Sequence, residues 1–505
     1  MKVAIVYPPL VSEKGIPYLG QNRQFQWGSV PWRAYPMIPA YAASLLRKND
    51  YEVFWLDGIA SEQSYKEWLA DLKKIQPDLL MIETKTPVVK RHWKIINELK
   101  SKDQSLKTIL VGDHVTALPE ESFKNSKVDY ILTGGDYDFL LLNLVNHLTK
   151  GEKLEPGIWY RAKNSPKNTP KVEGTRRRRG DTPGVKDTGK FVLNHNLNSL
   201  PFIDRDLTQW QLYAYKNSNY SRVPGTYTMF GRDCWWAGCS FCSWCTLYPA
   251  KQYRAMSPKR ALDEIGHILE KYPVREIMDD SGTFPVGNWL REFCQGMIER
   301  GYHRQIKFDC NMRFNANLCQ NDYNLMGRAG FRFILYGLES ASQKTLNRVN
   351  KNLQVESIPR VARMAKKAGL WPHITVMVGY PWETKEEVFQ TLNLAKELFR
   401  KGWVDTLQAT VLIPYPGTPL FQECQGKNWL KTLDWDNYDM KEPVMKTPME
   451  DEEIMTLVRN MFDSFWAPGF IFRKLIQGLT SWDKFKYYFW FALKYFGKKL
   501  DFGLR

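Results

Sequence analysis

No run of this 505-residue sequence is apolar for the roughly 20 residues that a membrane-crossing helix needs. Nothing in it resembles a secretory signal. The opening MKVAIVYPPL has a short apolar run that Pro8 and Pro9 cut off, and it reads as a strand. There is no internal repeat. Cysteine is sparse, with 8 residues. A disulfide framework suits small secreted domains, not a chain of this length. A zinc ribbon would need a second close Cys pair, and Cys294, Cys310, Cys319 and Cys424 form none. Unpaired thiols without a signal predict a reducing cytoplasm. Acidic residues run short as well: 54 Asp and Glu against 71 Lys and Arg leave a net charge of +17. That excess predicts an anionic partner (nucleic acid, a membrane surface or a phosphorylated substrate) or else a generally basic surface with none.

What is present is concentrated. Four of the 8 cysteines, Cys234, Cys239, Cys242 and Cys245, fall in the stretch GRDCWWAGCSFCSWC. Thiolates this close on one loop can wrap a soft metal centre, and such a loop can give three of them to one iron–sulfur cluster. The alternative is a set of buried free thiols or a disulfide.

The 43% hydrophobic content allows sizeable cores, and the length allows two to four domains. Over 1–150, apolar runs at 3–7, 53–56, 79–82, 108–112 and 129–134 alternate with helical stretches near 38–49, 63–74, 90–101 and 138–149. This βαβ series predicts a doubly wound, Rossmann-like parallel sheet that binds ligands at the carboxyl ends of its strands. Residues 151–222 read as a linker; its part from 162 to 190 is a basic surface loop carrying Arg176 to Arg179. Over 223–425 six strand-like segments (226–230, 275–280, 306–312, 332–339, 373–380, 406–414) alternate with helical stretches, predicting a partial (β/α)6 barrel. The fold class is therefore α/β. Residues 426–505 lose the alternation. Their last part is aromatic and basic, with Phe472, Leu475, Ile476 and Leu479 at helical spacing beside Arg473 and Lys474. It reads either as amphipathic helices for a membrane surface or as a helical cap on the barrel.

The cluster loop and the segments after it resemble the radical S-adenosylmethionine (SAM) superfamily. More narrowly, the chain is similar to the group with an N-terminal cobalamin domain, which includes the anaerobic magnesium-protoporphyrin ester cyclase and the hopanoid methylases. GDHVTALPEE (112–121) and VDYILTGGDYDFLL (128–141) are similar to that group's strand-end turns. The resemblance implies cobalamin contacts at Pro9, Gly112, His114, Thr116, Gly134, Gly135 and Asp136. The Asp-x-His-x-x-Gly motif of other cobalamin proteins is absent, so no axial histidine is implied. His114 reads equally as a loop residue capping backbone groups.

In the barrel the superfamily's usual spacing is C-x3-C-x2-C, and this chain is one residue longer between Cys234 and Cys239. Gly238 can absorb the insertion. The resemblance implies that Cys234, Cys239 and Cys242 hold a 4Fe–4S cluster; Cys239, Cys242 and Cys245 are the rival set. Three thiolates leave one iron open for SAM. MDDSGTF (278–284), DCNMRFN (309–315), YGLESASQKTL (336–346), VGYPWET (378–384), IPYPGTPLF (413–421) and DWDNYD (434–439) match in order. They imply SAM contacts at Phe241, Asp280, Arg313, Glu339, Ser340 and Gly379. The implied reaction is methylation of an unactivated carbon, with oxidative cyclisation as the alternative and RNA methylthiolation as a remote third. The implied partners are a small-molecule or lipid substrate and an external electron donor. A cytoplasmic protein with a peripheral membrane contact through its tail is the expected setting, and nucleic acid is not an expected partner.

Overall fold

The computed structural model describes residues 1–18, 26–28, 31–162, 182–217, 219–232, 234–249, 252–463 and 468–479, with 482, 485, 486, 488 and 489 beyond them. The Arg176–Arg179 run and the tail beyond 489 lie outside the described residues.

The first sheet is built from β1 (Lys2–Tyr7), β4 (Glu52–Asp57), β5 (Leu79–Glu83), β6 (Lys107–Val111), β7 (Tyr130–Leu132), β8 (Ile158–Arg161) and β9 (Val185–Asp187). A hairpin of β2 (Ile16–Tyr18) and β3 (Gln26–Gly28) follows β1. Continuous apolar runs such as VAIVY and LLMI are buried on both faces, as parallel strands under helices require. The order is β4-β1-β5-β6-β7-β8-β9, parallel through β7. The five parallel strands follow the doubly wound 2-1-3-4-5 order, in which the order of winding, not the strand direction, reverses between β1 and β5. The segment read as a linker adds β8 and β9 antiparallel to this edge. They were invisible to periodicity because strands of 4 and 3 residues carry too few positions to alternate.

The second sheet has the order β10 (Gly225–Thr228), β13 (Glu276–Asp279), β14 (Lys307–Met312), β15 (Phe331–Glu339), β16 (Trp371–Val378) and β17 (Thr406–Val411). All five pairings are parallel. Helices at Pro258–Lys271, Asn288–Glu299, Gln320–Arg328, Gln343–Arg348, Ser357–Lys367 and Lys385–Arg400 fall between them. This is the expected six-stranded partial barrel. Side-chain caps set several helix starts: Ser257 and Ser342 each accept an N3 amide, and Thr384 forms a capping box with Glu387. A two-strand ribbon, β11 (Gly231–Arg232) and β12 (Arg254–Ala255), brackets the cysteine loop.

The two sheets are joined by buried charge. Asp136, just past β7, accepts both guanidinium nitrogens of Arg254 at 2.7 Å each and Arg232 at 3.2 Å. Asp138 accepts Arg232 at 3.0 Å. His195 reaches Asp136 at 2.9 Å and Glu155 at 3.0 Å, and these partners push its pKa up to about 9 against its burial. The carboxyl end of β7 is thus fixed against the ribbon that carries the cysteine loop.

The region after the barrel is helical at Asp451–Phe462 and Pro468–Leu479. The first of these buries Ile454, Leu457, Val458 and Met461 on the last barrel strands, so this part of the extension is a cap. Among the described residues no helix is long and apolar enough to cross a membrane.

Candidate active site

The cysteine loop leaves β11 and runs through Cys234, Cys239 and Cys242 into the short helix Trp244–Leu247. None of its four cysteines forms a disulfide. The Cys245 thiol donates to the Ala237 carbonyl at 3.2 Å, so it serves the loop's own backbone. Cys239 is buried, and Nη1 of Arg313 lies 3.6 Å from its sulfur. Burial pushes the Cys239 thiol up, while Lys351 and Arg313 pull against that rise. Among the described residues no three Cys, His, Asp or Glu side chains stand close enough to hold a single metal ion. A four-iron cluster takes each thiolate at a separate iron, so its ligands need not meet at one point. An all-sulfur donor set beside two cations is chemically suited to such a cluster.

Arg313 follows β14. Its guanidinium stands 5.5 and 5.4 Å from the ring centres of Trp235 and Trp236, and it donates to Asn315 and to the Lys351 carbonyl. Two indole faces and a carbonyl fix its plane beside Cys239.

Glu339 ends β15. The register between β15 and β16 shifts between Gly337 and Glu339, and Glu339 has φ +66°. Such an irregularity re-aims a side chain, and a left-handed non-glycine residue costs about 1–2 kcal/mol. The result is a buried ion pair: Lys351 Nζ lies 2.6 Å from Glu339 Oε1. Burial opposes the charge on Lys351, but Glu339 and Cys239 outweigh it and raise its pKa. A Cβ on Gly337 would stand 2.2 Å from Glu339 Oε1 and 2.6 Å from Lys351 Nζ, so the pair occupies the space a side chain there would need.

Ser340 donates to Glu383 Oε1 at 2.6 Å, and burial pushes the Glu383 carboxyl up to about 7. Gly379, at φ +98°, faces Ile454 of the capping helix. Phe241 lies under Lys351, whose ammonium is 6.0 Å from its ring centre. The structure thus gathers Cys239, Phe241, Arg313 and Glu339 around Lys351. Asp280 stands elsewhere, following β13, and acts electrostatically on Lys85 of the first sheet.

Sequence reasoning missed Lys351, Gly337, Trp235, Trp236 and the Arg232–Arg254 lattice. Lys351 sits in a loop with no pattern around it. The glycine two places before Glu339 in YGLE was the one local signal.

The seven residues expected to line the first sheet's ligand site lie at its carboxyl ends, and the structure gives them protein partners. A Cβ on Gly112 (φ +120°) would meet the Thr84 carbonyl oxygen at 2.2 Å. On Gly134 it would meet the Phe191 ring at 2.4 Å, and on Gly135 the Tyr248 ring at 2.0 Å. Thr116 ties two loops, donating to the Gly112 carbonyl and accepting from the Gly134 amide. Pro9 packs on Gly58, and Asp136 is held in the arginine lattice. His114 is buried; its nitrogens lie 3.2 Å from Thr86 Oγ1 and 3.2 Å from Glu121 Oε2. Trp93 and Trp435 stand edge-on to its ring. Trp435 belongs to the DWDNYD segment, which returns from the C-terminal region to cover this sheet end. Its indole donates to Glu121, and Lys90 pairs with Asp434.

The sequence profile of the radical SAM superfamily matches residues 229–395. An uncharacterised methyltransferase of Pyrococcus horikoshii, PH0819, is 26% identical over 88% of this chain and 93% of its own length. The anaerobic magnesium-protoporphyrin IX monomethyl ester cyclase of Cereibacter sphaeroides is 24% identical over 86% of this chain and 68% of its own. Among solved structures, the cobalamin-dependent SAM radical enzyme OxsB superposes with a TM-score of 0.67 at 16% identity, covering 98% of this chain and 71% of OxsB. A loop of four cysteines at the mouth of a six-stranded parallel barrel, a doubly wound sheet locked against that mouth, and these likenesses agree: residues 229–395 of this chain are a radical SAM superfamily domain, and the chain shares the fold of OxsB.

Proposed function

We propose that this chain is a cobalamin-dependent radical SAM enzyme that methylates an unactivated carbon of a small-molecule or lipid substrate. One observation carries the reading. The carboxyl end of the first sheet is locked by Asp136 and Asp138 onto Arg232 and Arg254, at the loop that holds the four thiols. Two ligands bound at the two strand ends would then face one space.

Cys234, Cys239 and Cys242 would hold a 4Fe–4S cluster, and the loops after β1, β5, β6 and β7 would hold cobalamin. Bound there, the cluster would supply the electron for cleavage of the carbon–sulfur bond of SAM, and cobalamin would supply the methyl group. The protein's own work is orientation and exclusion of water. Arg313, clamped by two tryptophans, offers a charge-assisted contact to the SAM carboxylate. Glu339 offers its carboxylate to the amino group or ribose, with Lys351 holding it in place. Ser340 and Gly379 shape the adjoining strand ends, and Phe241 closes one side. Trp435 seals the sheet end against solvent. The electron must come from an external donor.

Likeness to the cyclase keeps one alternative: ring closure, which begins with the same hydrogen abstraction. The membrane part of the reading is a peripheral contact through the segment 468–489.

His114 and His195 have both ring nitrogens engaged within the protein, so neither is offered to cobalt. Replacing His114 by alanine is expected to cost about 1–3 kcal/mol of stability from lost buried hydrogen bonds, read as a lower thermal midpoint. Cobalamin should still bind, and the Co(II) electron spin resonance spectrum should stay unchanged. A changed axial signal would refute the assignment.

The test of the function is anaerobic. Protein reconstituted with iron, sulfide and cobalamin receives SAM and a strong reductant, and the products are read by mass spectrometry. 5′-Deoxyadenosine together with S-adenosylhomocysteine is expected for a methylase. 5′-Deoxyadenosine alone, with a methyl acceptor supplied, favours the cyclase alternative. Neither product from cluster-loaded protein would end the enzyme reading.

A further inference from the structure

Most exposed large apolar side chains are scattered singly, as on any protein surface. One group is not. Phe472, Leu475, Ile476, Leu479, Trp482 and Phe485 follow one another on the C-terminal segment, with Phe472 65%, Leu479 84% and Trp482 67% exposed. Phe472, Leu475, Ile476 and Leu479, three and four apart, form an apolar ladder on one side of the helix Pro468–Leu479, and Trp482 and Phe485 belong to the segment beyond it. Trp482 and Phe485 stack at 5.4 Å, and the Phe485 backbone returns to 3.8 Å from where a Cβ on Gly478 would stand, so this exposed aromatic pair packs beside the helix end rather than extending the helix.

The opposite side of the same helix is occupied. Phe470 packs edge-on to Phe399 at 5.1 Å. Arg473 donates to the carbonyls of Phe399 and Arg400, where the helix Lys385–Arg400 ends and its unpaired carbonyls favour a cation. Lys474 pairs with buried Asp405, which Lys366 also holds at 2.6 Å. Arg473 and Lys474, which looked from sequence like the polar flank of a membrane helix, are therefore spent on the barrel. They clamp the helix so that its apolar side faces outward, and burying that side elsewhere would mean breaking these contacts.

Charge selects the occupant. The chain carries +17. Between 464 and 505, beyond Arg473 and Lys474, the sequence has six Lys or Arg against two Asp or Glu, a net of +4. Exposed Lys486 lies beside the aromatic pair, its ammonium 5.3 Å from the Trp482 ring. Aromatic rings interleaved with lysines match the interface of a bilayer bearing anionic headgroups, where rings sit at headgroup depth and each nearby cation adds about 1 kcal/mol. We infer that this face docks the protein onto an anionic membrane surface, with the helix lying in the interface plane. The inference deepens the proposed membrane contact. It does not depend on the methylation chemistry, because binding is read without turnover.

The test is vesicle flotation of the full chain at low salt. It compares pure phosphatidylcholine with phosphatidylcholine containing a third phosphatidylglycerol. The expected result is flotation with anionic vesicles at least tenfold above neutral ones. Leu479→Glu together with Trp482→Glu should reduce it at least tenfold, and Lys486→Glu severalfold. Val11→Glu, an equally exposed apolar site far along the chain, should leave it unchanged. The thermal midpoint of each variant checks folding. Equal flotation of the double variant and the unaltered chain would overturn the inference. So would a dimer in sedimentation that the double variant dissolves without any vesicle binding, since the occupant would then be a second copy of the chain.

Discussion

Replacing Cys239 by alanine is expected to abolish the iron–sulfur cluster and, with it, formation of 5′-deoxyadenosine; replacing Cys245 should leave both. The four thiols differ in what surrounds them. The Cys245 thiol is spent on the Ala237 carbonyl, inside the turn that shapes the loop. Such an S–H···O contact is weak, and its loss costs a fraction of a kcal/mol in loop order. Cys239 is buried beside two cations, Arg313 and Lys351, which favour its thiolate against the burial that disfavours it. Burial wins and the thiol stays raised, but a buried sulfur flanked by two cations is suited to the negative charge it would carry as a cluster ligand. Iron content and the visible absorption of the reconstituted protein give the readout. Loss of cluster in the Cys245 variant, with retention in the Cys234 variant, would move the ligand set to Cys239, Cys242 and Cys245.

Replacing Lys351 by methionine should weaken SAM binding by at least tenfold and lower the thermal midpoint. The pair with Glu339 is nearly sealed, with side-chain exposures of 7% and 10%. Removing one member of a buried ion pair costs about 3–5 kcal/mol, because the other charge is left without compensation. The Glu339 carboxylate would also lose the ammonium that fixes its direction toward SAM. Gly337→Ala supplies an independent handle. Its methyl group would enter the space of both charged atoms, so it should reproduce the binding loss without deleting either charge. Equilibrium binding of SAM to cluster-loaded protein decides the matter. Unchanged affinity in both variants would reduce the pair to a structural role.

The α/β architecture was legible because its signals are local and repeated. Five apolar runs alternating with helical periods fix the doubly wound sheet, and six more fix the barrel; the observed strands fall within a few residues of those expected. The four cysteines stood out because their spacing is itself the signal. The short edge strands β8 and β9 left no trace, since three or four residues beside a basic loop show no period.

The site was half legible. Arg313, Glu339 and Ser340 sit at strand ends, where sequence order places them. Lys351 lies twelve residues after its partner in an unpatterned loop, and only the fold brings the two charges to 2.6 Å. The family resemblance implied ligand contacts for the glycines and His114 of the first sheet. The folded chain shows what each meets: a carbonyl, two aromatic rings, a threonine and a glutamate. The tail shows the same division. Its aromatic and basic composition was written in the sequence. Which cations face the barrel and which rings face outward depended on where Asp405 and the end of the helix Lys385–Arg400 came to rest. Periodicity reports how a segment pairs with a generic core. The identity of a charged side chain's partner is a long-range fact, set only when the strands have stacked.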